Sequence, residues 1–155
     1  METKEKVIQY LKEHYNATLA TCWENKPHAA TVSYVSDDLA IYFASGANSM
    51  KVKDMRVNSD VALTIYKDYS DLLETKGLEY VGKAEIVEDP AETQRIIELL
   101  IGKFPSHKSV ISEQVLAMFP SYKKELGKPE MVIVKVTPNW IRYADAKAGF
   151  ETLSL

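Results

Sequence analysis

Hydrophobic and polar positions follow two periods along this chain, and each switch between them marks an element. Thr3–Tyr15 places Val7, Ile8, Tyr10 and Leu11 on one face of a helix, with lysines and glutamates opposite. Ala17–Trp23 is rich in small, β-branched and aromatic residues and reads as a strand. Glu24-Asn25-Lys26-Pro27 reads as a turn, His28–Val35 as a second strand, Ser36-Asp37-Asp38 as a turn and Leu39–Ala44 as a third strand. Connections this short predict an antiparallel meander. Asn48 or Ser49 can cap a helix over Met50–Val57, with Met50, Val52 and Met55 available to pack. Asn58-Ser59-Asp60 ends that helix. Val61–Tyr66 is a fourth strand and Lys67–Lys76 a charged loop. Gly77–Val87 is a long fifth strand, in which Gly82 marks a bulge or a close backbone approach.

The clearest helix start follows. Asp89 is the expected N-cap, Pro90 the first helical residue, and Glu92 completes a capping box. Ile96, Ile97, Leu99, Leu100 and Phe104 supply the buried face, and Pro105 stops the helix. Ser109–Phe119 reads as a second short helix stopped by Pro120. Met131–Val136 is a strand whose ladder Pro138 ends, Trp140–Tyr143 starts another, and Gly149–Leu155 is a loop or edge segment. No repeat, linker or low-complexity tract divides residues 1–155. The strands before Asp89 need those after Met131 to close a sheet. The expected fold is one α+β domain, a small antiparallel β-barrel with flanking helices.

Composition narrows the class without naming a function. A length of 155 residues suits one domain with a real core. A hydrophobic share of 46%, a charged share of 26% and a net charge of −3 exclude a disordered or collagenous chain and a coat for nucleic acid. The single cysteine, Cys22, excludes an intrachain disulfide and a cysteine-based zinc cluster. The charged start is no secretory signal and no apolar run is of bilayer length, so a soluble, cytoplasmic protein is expected.

One stretch carries candidate chemistry. In Ser45-Gly46-Ala47-Asn48-Ser49-Met50-Lys51 a strand delivers the chain and a helix leaves it. Helix-start N–H groups favour an anion, small residues let it approach, and Ser45, Ser49 and Lys51 add hydroxyl donors and a positive charge. By spacing alone the segment is either a phosphate-monoester site or a plain helix cap with an exposed lysine. Its glycine and lysine spacing is not that of a P-loop. His28 is either an acid/base group or flavin neighbour, or a surface histidine at a strand edge. Cys22, with no cation beside it in the sequence, reads as a structural thiol. There is no Ser-His-Asp order, nucleophile elbow or convincing pair of carboxylates. Tyr34, Tyr42, Tyr66, Tyr69, Tyr80, Trp140 and Tyr143 fall on or beside strands, as core or interface residues or as walls for a planar cofactor.

The order of these pieces adds information. Thr18–Cys22, a turn with proline, Ala29–Val35, an acidic turn, Ile41–Phe43, Ser-Met-Lys opening a helix, Asn58–Leu63 and Tyr80–Glu85 follow one another. The closing run is Val-Thr-Pro-Asn-Trp-Ile-Arg-Tyr, Val136 to Tyr143. This order resembles the pyridoxamine 5'-phosphate oxidase-like FMN-binding split-barrel family over nearly the whole chain. The resemblance implies a split barrel, a homodimer and FMN in a groove between the subunits. It implies that Ser45, Ser49, Met50 and Lys51 surround the flavin phosphate. It also implies that Ala29, Ala30, Thr31 and Val32 line the isoalloxazine, largely through backbone, with Trp140 a further cofactor contact. The implied activity is that of an oxidoreductase on a small substrate. The alternatives are a flavin-binding or electron-transfer protein without one, or a split barrel that takes haem or a deazaflavin. Haem would need an axial histidine from His14, His28 or His107. Several family groups are missing. The arginine near the start of the second strand is replaced within Pro27-His28-Ala29-Ala30, and a phosphate-side arginine by Met50. A flavin-contacting glutamine is replaced by Gly77, and the C-terminal Arg-x-His by Arg142-Tyr143-Ala144. These departures count against oxidation of a vitamin B6 phosphate.

Overall fold

Alternation of apolar and polar residues produces six strands that close on themselves. The structure, a computed structural model, describes residues 1–106 and 131–155. The elements in chain order are α1 (Thr3–Glu13), β1 (Asn16–Trp23), β2 (Lys26–Asp37), β3 (Ala40–Gly46), α2 (Met50–Val57), β4 (Asp60–Tyr66), β5 (Lys76–Ile86), α3 (Pro90–Lys103), β6 (Met131–Asp145) and β7 (Gly149–Ser154). A 3-10 turn at Leu72–Glu74 interrupts the loop before β5. The strand order is β3-β2-β1-β4-β5-β6-β7, and β3 also pairs with β6, which closes a six-stranded antiparallel barrel. β7 pairs with Trp140–Asp145 of β6, beyond the stretch that β3 occupies. The flanking-helix barrel expected from the sequence is the fold observed. The helix expected at Ser109–Phe119, Pro120 and His107 lie outside the described residues.

The barrel interior is one apolar cluster that includes Leu19, Tyr34, Ile41, Phe43, Leu63, Leu78, Tyr80, Val136 and Ile141. α1 covers one end with Val7, Tyr10 and Leu11, and Glu151 on β7 accepts hydrogen bonds from Thr3 and Lys6 of that helix. α2 covers the opposite end with Val52 and Met55. α3 lies outside, where Ile96 and Leu100 pack on Val35, Tyr42 and Ile133 in a second, smaller cluster. No helix among the described residues is long and apolar enough to cross a membrane.

Several boundaries differ from the sequence expectation, each for a physical reason. Lys26 and Pro27 belong to β2 because Glu24 and Asn25 alone make the hairpin turn, both at positive φ (49° and 58°). Glu92 does not complete a reciprocal capping box. Asp89 accepts its N–H at 3.1 Å, while its carboxylate accepts the Tyr42 hydroxyl at 3.2 Å. Leu99 is exposed, because α3 meets the barrel along a stripe that only Ile96 and Leu100 bury fully. Met50, expected to pack, is 60% exposed. Pro138 does not end its ladder: β6 runs through it as one strand, with Pro138 opposite Gly82 where the register shifts between Val81 and Gly82. A bulge tolerates the missing N–H, so the proline is accommodated there.

Candidate functional site

β3 carries Ile41, Phe43 and Ser45 on its inner face, and the chain then turns into α2 through the Ser49 N–H, which donates to Gly46 O at 3.1 Å. Ser49 is the N-cap. Its Oγ accepts the Val52 N–H at 3.4 Å and its carbonyl the Lys53 N–H at 3.0 Å. The buried Ser45 Oγ lies 3.0 Å from Ser49 Oγ. α1 and α3 place Glu5 and Glu92 in their first turns, whereas α2 has no acidic residue in its own. The positive end of its dipole is therefore left without a carboxylate from its own first turn. Lys51 is half-buried in that turn. Two hydroxyls and a helix start thus meet at one point, with a lysine in the first turn of that helix, and such a point can hold an anion.

The neighbouring strand supplies an open wall. β3 pairs with β2 only from Tyr34/Phe43 to Asp37/Ala40, then continues along β6 alone through Gly46/Met131. Along Lys26–Ser33, β2 is paired with β1 on one edge, and among the described residues no strand occupies the other. The barrel is split here, directly beside the β3–α2 connection. Val32 is buried, Ala30 half-buried, and Ala29 and Thr31 are exposed. Small side chains and unpaired main-chain groups therefore face the gap, and these can meet a planar ligand through backbone.

Trp140 lies elsewhere. It sits on β6 eight positions beyond Val132, the partner of Ser45, which is roughly 26 Å along the strand. Within one chain it does not join Ser45, Ser49, Met50 and Lys51. It ends a cross-strand row, Ala29–Ala20–Ala62–Val81–Trp140, on the outer face of the barrel. Val81 in this row is 38% exposed.

Sequence reasoning missed the polar cluster under α2. The Thr21 hydroxyl donates to Asp54 Oδ2 at 2.7 Å with both residues buried, and Asn58 Nδ2 donates to Cys22 O at 2.9 Å. Asp54 between the packing positions Val52 and Met55 was the available signal. His28 is the cross-strand partner of Thr21, and its Nδ1 is buried without a hydrogen-bond partner. Sequence reasoning also missed a cleft of about 420 Å³ at the α1 end, lined by Tyr10, His14, Lys67, Tyr69 and Asp71 among others. His14 there is stacked on Tyr10 with centroids 3.8 Å apart, and burial pushes the Tyr10 hydroxyl up to about 12. This cleft shares no residue with the Ser45–Lys51 segment. Among the described residues no three His, Cys, Asp or Glu side chains gather as a metal site.

Comparison with known proteins agrees with this geometry. General stress protein 26 of Bacillus subtilis (strain 168) is 28% identical over 85 residues, a match spanning 55% of this chain and 60% of that relative. The crystal structure of general stress protein 26 from Bacillus anthracis superposes with a TM-score of 0.69 at 24% identity, covering 100% of both chains. The same fold occurs in a haem-binding protein from Mycobacterium smegmatis (TM-score 0.76, 14% identity, 99% of this chain and 59% of that one). It occurs as well in a FAD-binding protein from Mesorhizobium loti (TM-score 0.66, 14% identity, 91% and 92%). The pyridoxamine 5'-phosphate oxidase family profile matches residues 3–145, nearly the whole barrel, and the chain belongs to that family.

Proposed function

We propose that this chain is an FMN-binding split-barrel protein that works as a homodimer and passes hydride or electrons between small molecules. The observation that carries the reading is the Ser45–Ser49 hydroxyl pair at the acid-free start of α2, set beside the open edge of β2. The residues fit the group. Ser45, Ser49 and Lys51 would hold the phosphate, and the backbone of Ala29, Ala30, Thr31 and Val32 would face the flavin ring. When bound, the flavin supplies two-electron or one-electron chemistry, which no side chain here provides alone. The protein's part is to bind, orient and shield it. Trp140 is too far from Ser45 within one chain, so its contact with the cofactor would come from the second copy. The Ala20–Ala62–Val81 face, which no helix covers among the described residues, gives that copy a place to pack.

A split barrel is also the fold of the haem-binding protein of M. smegmatis, and haem is the second reading. Among the described residues its axial ligand would have to be His14 or His28. The test is the visible spectrum and flavin fluorescence of the purified protein titrated with FMN. Quenching with one flavin per chain is expected, and Lys51→Ala should weaken FMN about tenfold while leaving riboflavin binding unchanged. A protein that takes up no FMN overturns the reading, and a Soret band on adding haem instead would replace it.

A further inference from the structure

α2 begins at the hydroxyl pair, and polar bonds hold it at its start, its middle and its end. At the start, the Ser49 N–H donates to Gly46 O at 3.1 Å and Ser49 Oγ lies 3.0 Å from Ser45 Oγ, which ties the helix to β3. In the middle, Asp54 Oδ2 accepts the Thr21 hydroxyl at 2.7 Å. Just past the end, Asn58 Nδ2 donates to Cys22 O at 2.9 Å. The last two bonds reach adjacent residues of β1. The residues of β1 just before them, Ala17 to Ala20, pair with Val32 to Ala29, the stretch of β2 that faces the gap. β1 therefore joins the open wall of the split to the helix that begins at Ser49.

Adhesion alone does not call for the Thr21–Asp54 bond. Val52 and Met55 already bury an apolar face of α2 on the barrel. Thr21 is 2% exposed and Asp54 6%, and taking a carboxylate out of water costs more than one hydroxyl hydrogen bond returns. An apolar pair of similar shape would hold the helix as firmly. What apolar contact lacks is direction, so it tolerates a small slide or turn of the helix. A short hydrogen bond is made in one register only. We propose that Thr21 and Asp54 are positioning residues of the anion site. They fix α2 on β1, and with it the span from the small-residue wall of β2 to the hydroxyls at the helix start. This rests on the flavin reading above, in which FMN reaches both ends of that span while riboflavin, lacking the phosphate, meets only the wall.

The experiment titrates FMN and riboflavin into Thr21→Ser, Asp54→Asn and the double variant Thr21→Val/Asp54→Leu, with thermal melts of the flavin-free proteins. Serine keeps the hydroxyl and asparagine keeps an accepting oxygen. The double variant removes both polar partners together, so that neither is left buried alone. It should melt within about 2 °C of wild type or higher, bind riboflavin as wild type does, and lose FMN affinity roughly tenfold. Thr21→Ser and Asp54→Asn should stay within about threefold of wild type for both flavins. The proposal is overturned if the double variant binds FMN like wild type, or weakens riboflavin as much as FMN. It is also overturned if the double variant melts further below wild type, since the pair is then a stability contact. A loss of FMN in Thr21→Ser equal to that of the double variant overturns it too, because the hydrogen bond is then not what matters. A wild type and a double variant that bind FMN alike remove the positioning role and leave the flavin reading standing. Absence of FMN binding in wild type removes both.

Discussion

Tyr80 donates its one phenolic hydrogen between Leu39 O and Val136 O, each 2.9 Å away, and Tyr34 donates to Leu11 O at 2.9 Å. Each hydroxyl satisfies carbonyls that the closed barrel and the end of α1 would otherwise bury unpaired. Lys103, the last residue of α3, does similar work for α1. Its ammonium donates to Leu11 O and His14 O and lies 4.2 Å from the centroid of the Tyr34 ring. These groups titrate in opposite senses. Burial lowers Lys103 from 10.5 to about 8, so between those values the unfolded chain holds more protons and stability rises with pH. Burial raises Tyr34 and Tyr80, and Tyr10 to about 12, from 10.0. Their contribution is complete below pH 10 and is lost as pH climbs through the raised values. Urea midpoints should therefore rise between pH 8 and 10 in wild type relative to Lys103→Met, and both proteins should lose stability above pH 10. Parallel curves for the two proteins from pH 8 to 10 would show that Lys103 keeps its charge at no cost.

Between elements, the decisive contact is that of β5 with β6. A Cβ added at Gly82 would lie 2.2 Å from Thr137 O and 3.0 Å from the Pro138 Cα, both backbone atoms that cannot step aside. This glycine and the proline opposite it let a 15-residue strand bend through the bulge and serve two neighbours, β3 with its first half and β7 with its second. Gly82→Ala should cost at least about 1–3 kcal/mol in urea unfolding, with the slope unchanged. An unaltered midpoint would mean that the two strands separate freely there. Gly82 was legible in the sequence as a bulge. The continuity of β6 was not, because Pro138 breaks a ladder in isolation and only the partner strand shows that its N–H was not needed. The Ser49 cap was similarly legible from its spacing. The Thr21–Asp54 pair was not: Asp54 among the packing positions of α2 marks a buried carboxylate, but its partner is 33 residues away and nothing local identifies it.

At the scale of the whole molecule, the helices among the described residues leave one side of the barrel bare. α3 covers the β2–β3–β6 side, while the Ala20–Ala62–Val81 row and the neighbouring Trp140 lack a helix among the described residues. Small side chains make this face flat, which suits close approach of a second copy. Light scattering should give twice 17.5 kDa for wild type. Val81→Glu, which puts a carboxylate at the centre of the face, should shift the protein to monomer and weaken FMN binding with it. A wild-type monomer that binds FMN would place the flavin wholly within one chain, and a Val81→Glu dimer that binds FMN as well as wild type would show that the two copies do not meet through this face.

The sequence by itself determined the elements that rest on local physics. Periodicity set the strands, Ser49 and Asp89 fixed two helix starts, and the ordered small-residue, Ser-Met-Lys and glycine signals pointed to the family. Tertiary structure alone decided where those elements meet. It took tertiary packing to open the edge of β2 beside the β3–α2 connection, to bring Asp54 of α2 onto Thr21 of β1, and to carry Trp140 away from the site its own chain forms. These are contacts between residues far apart in the chain, set by strand pairing and side-chain packing, and neither propensity nor spacing encodes them.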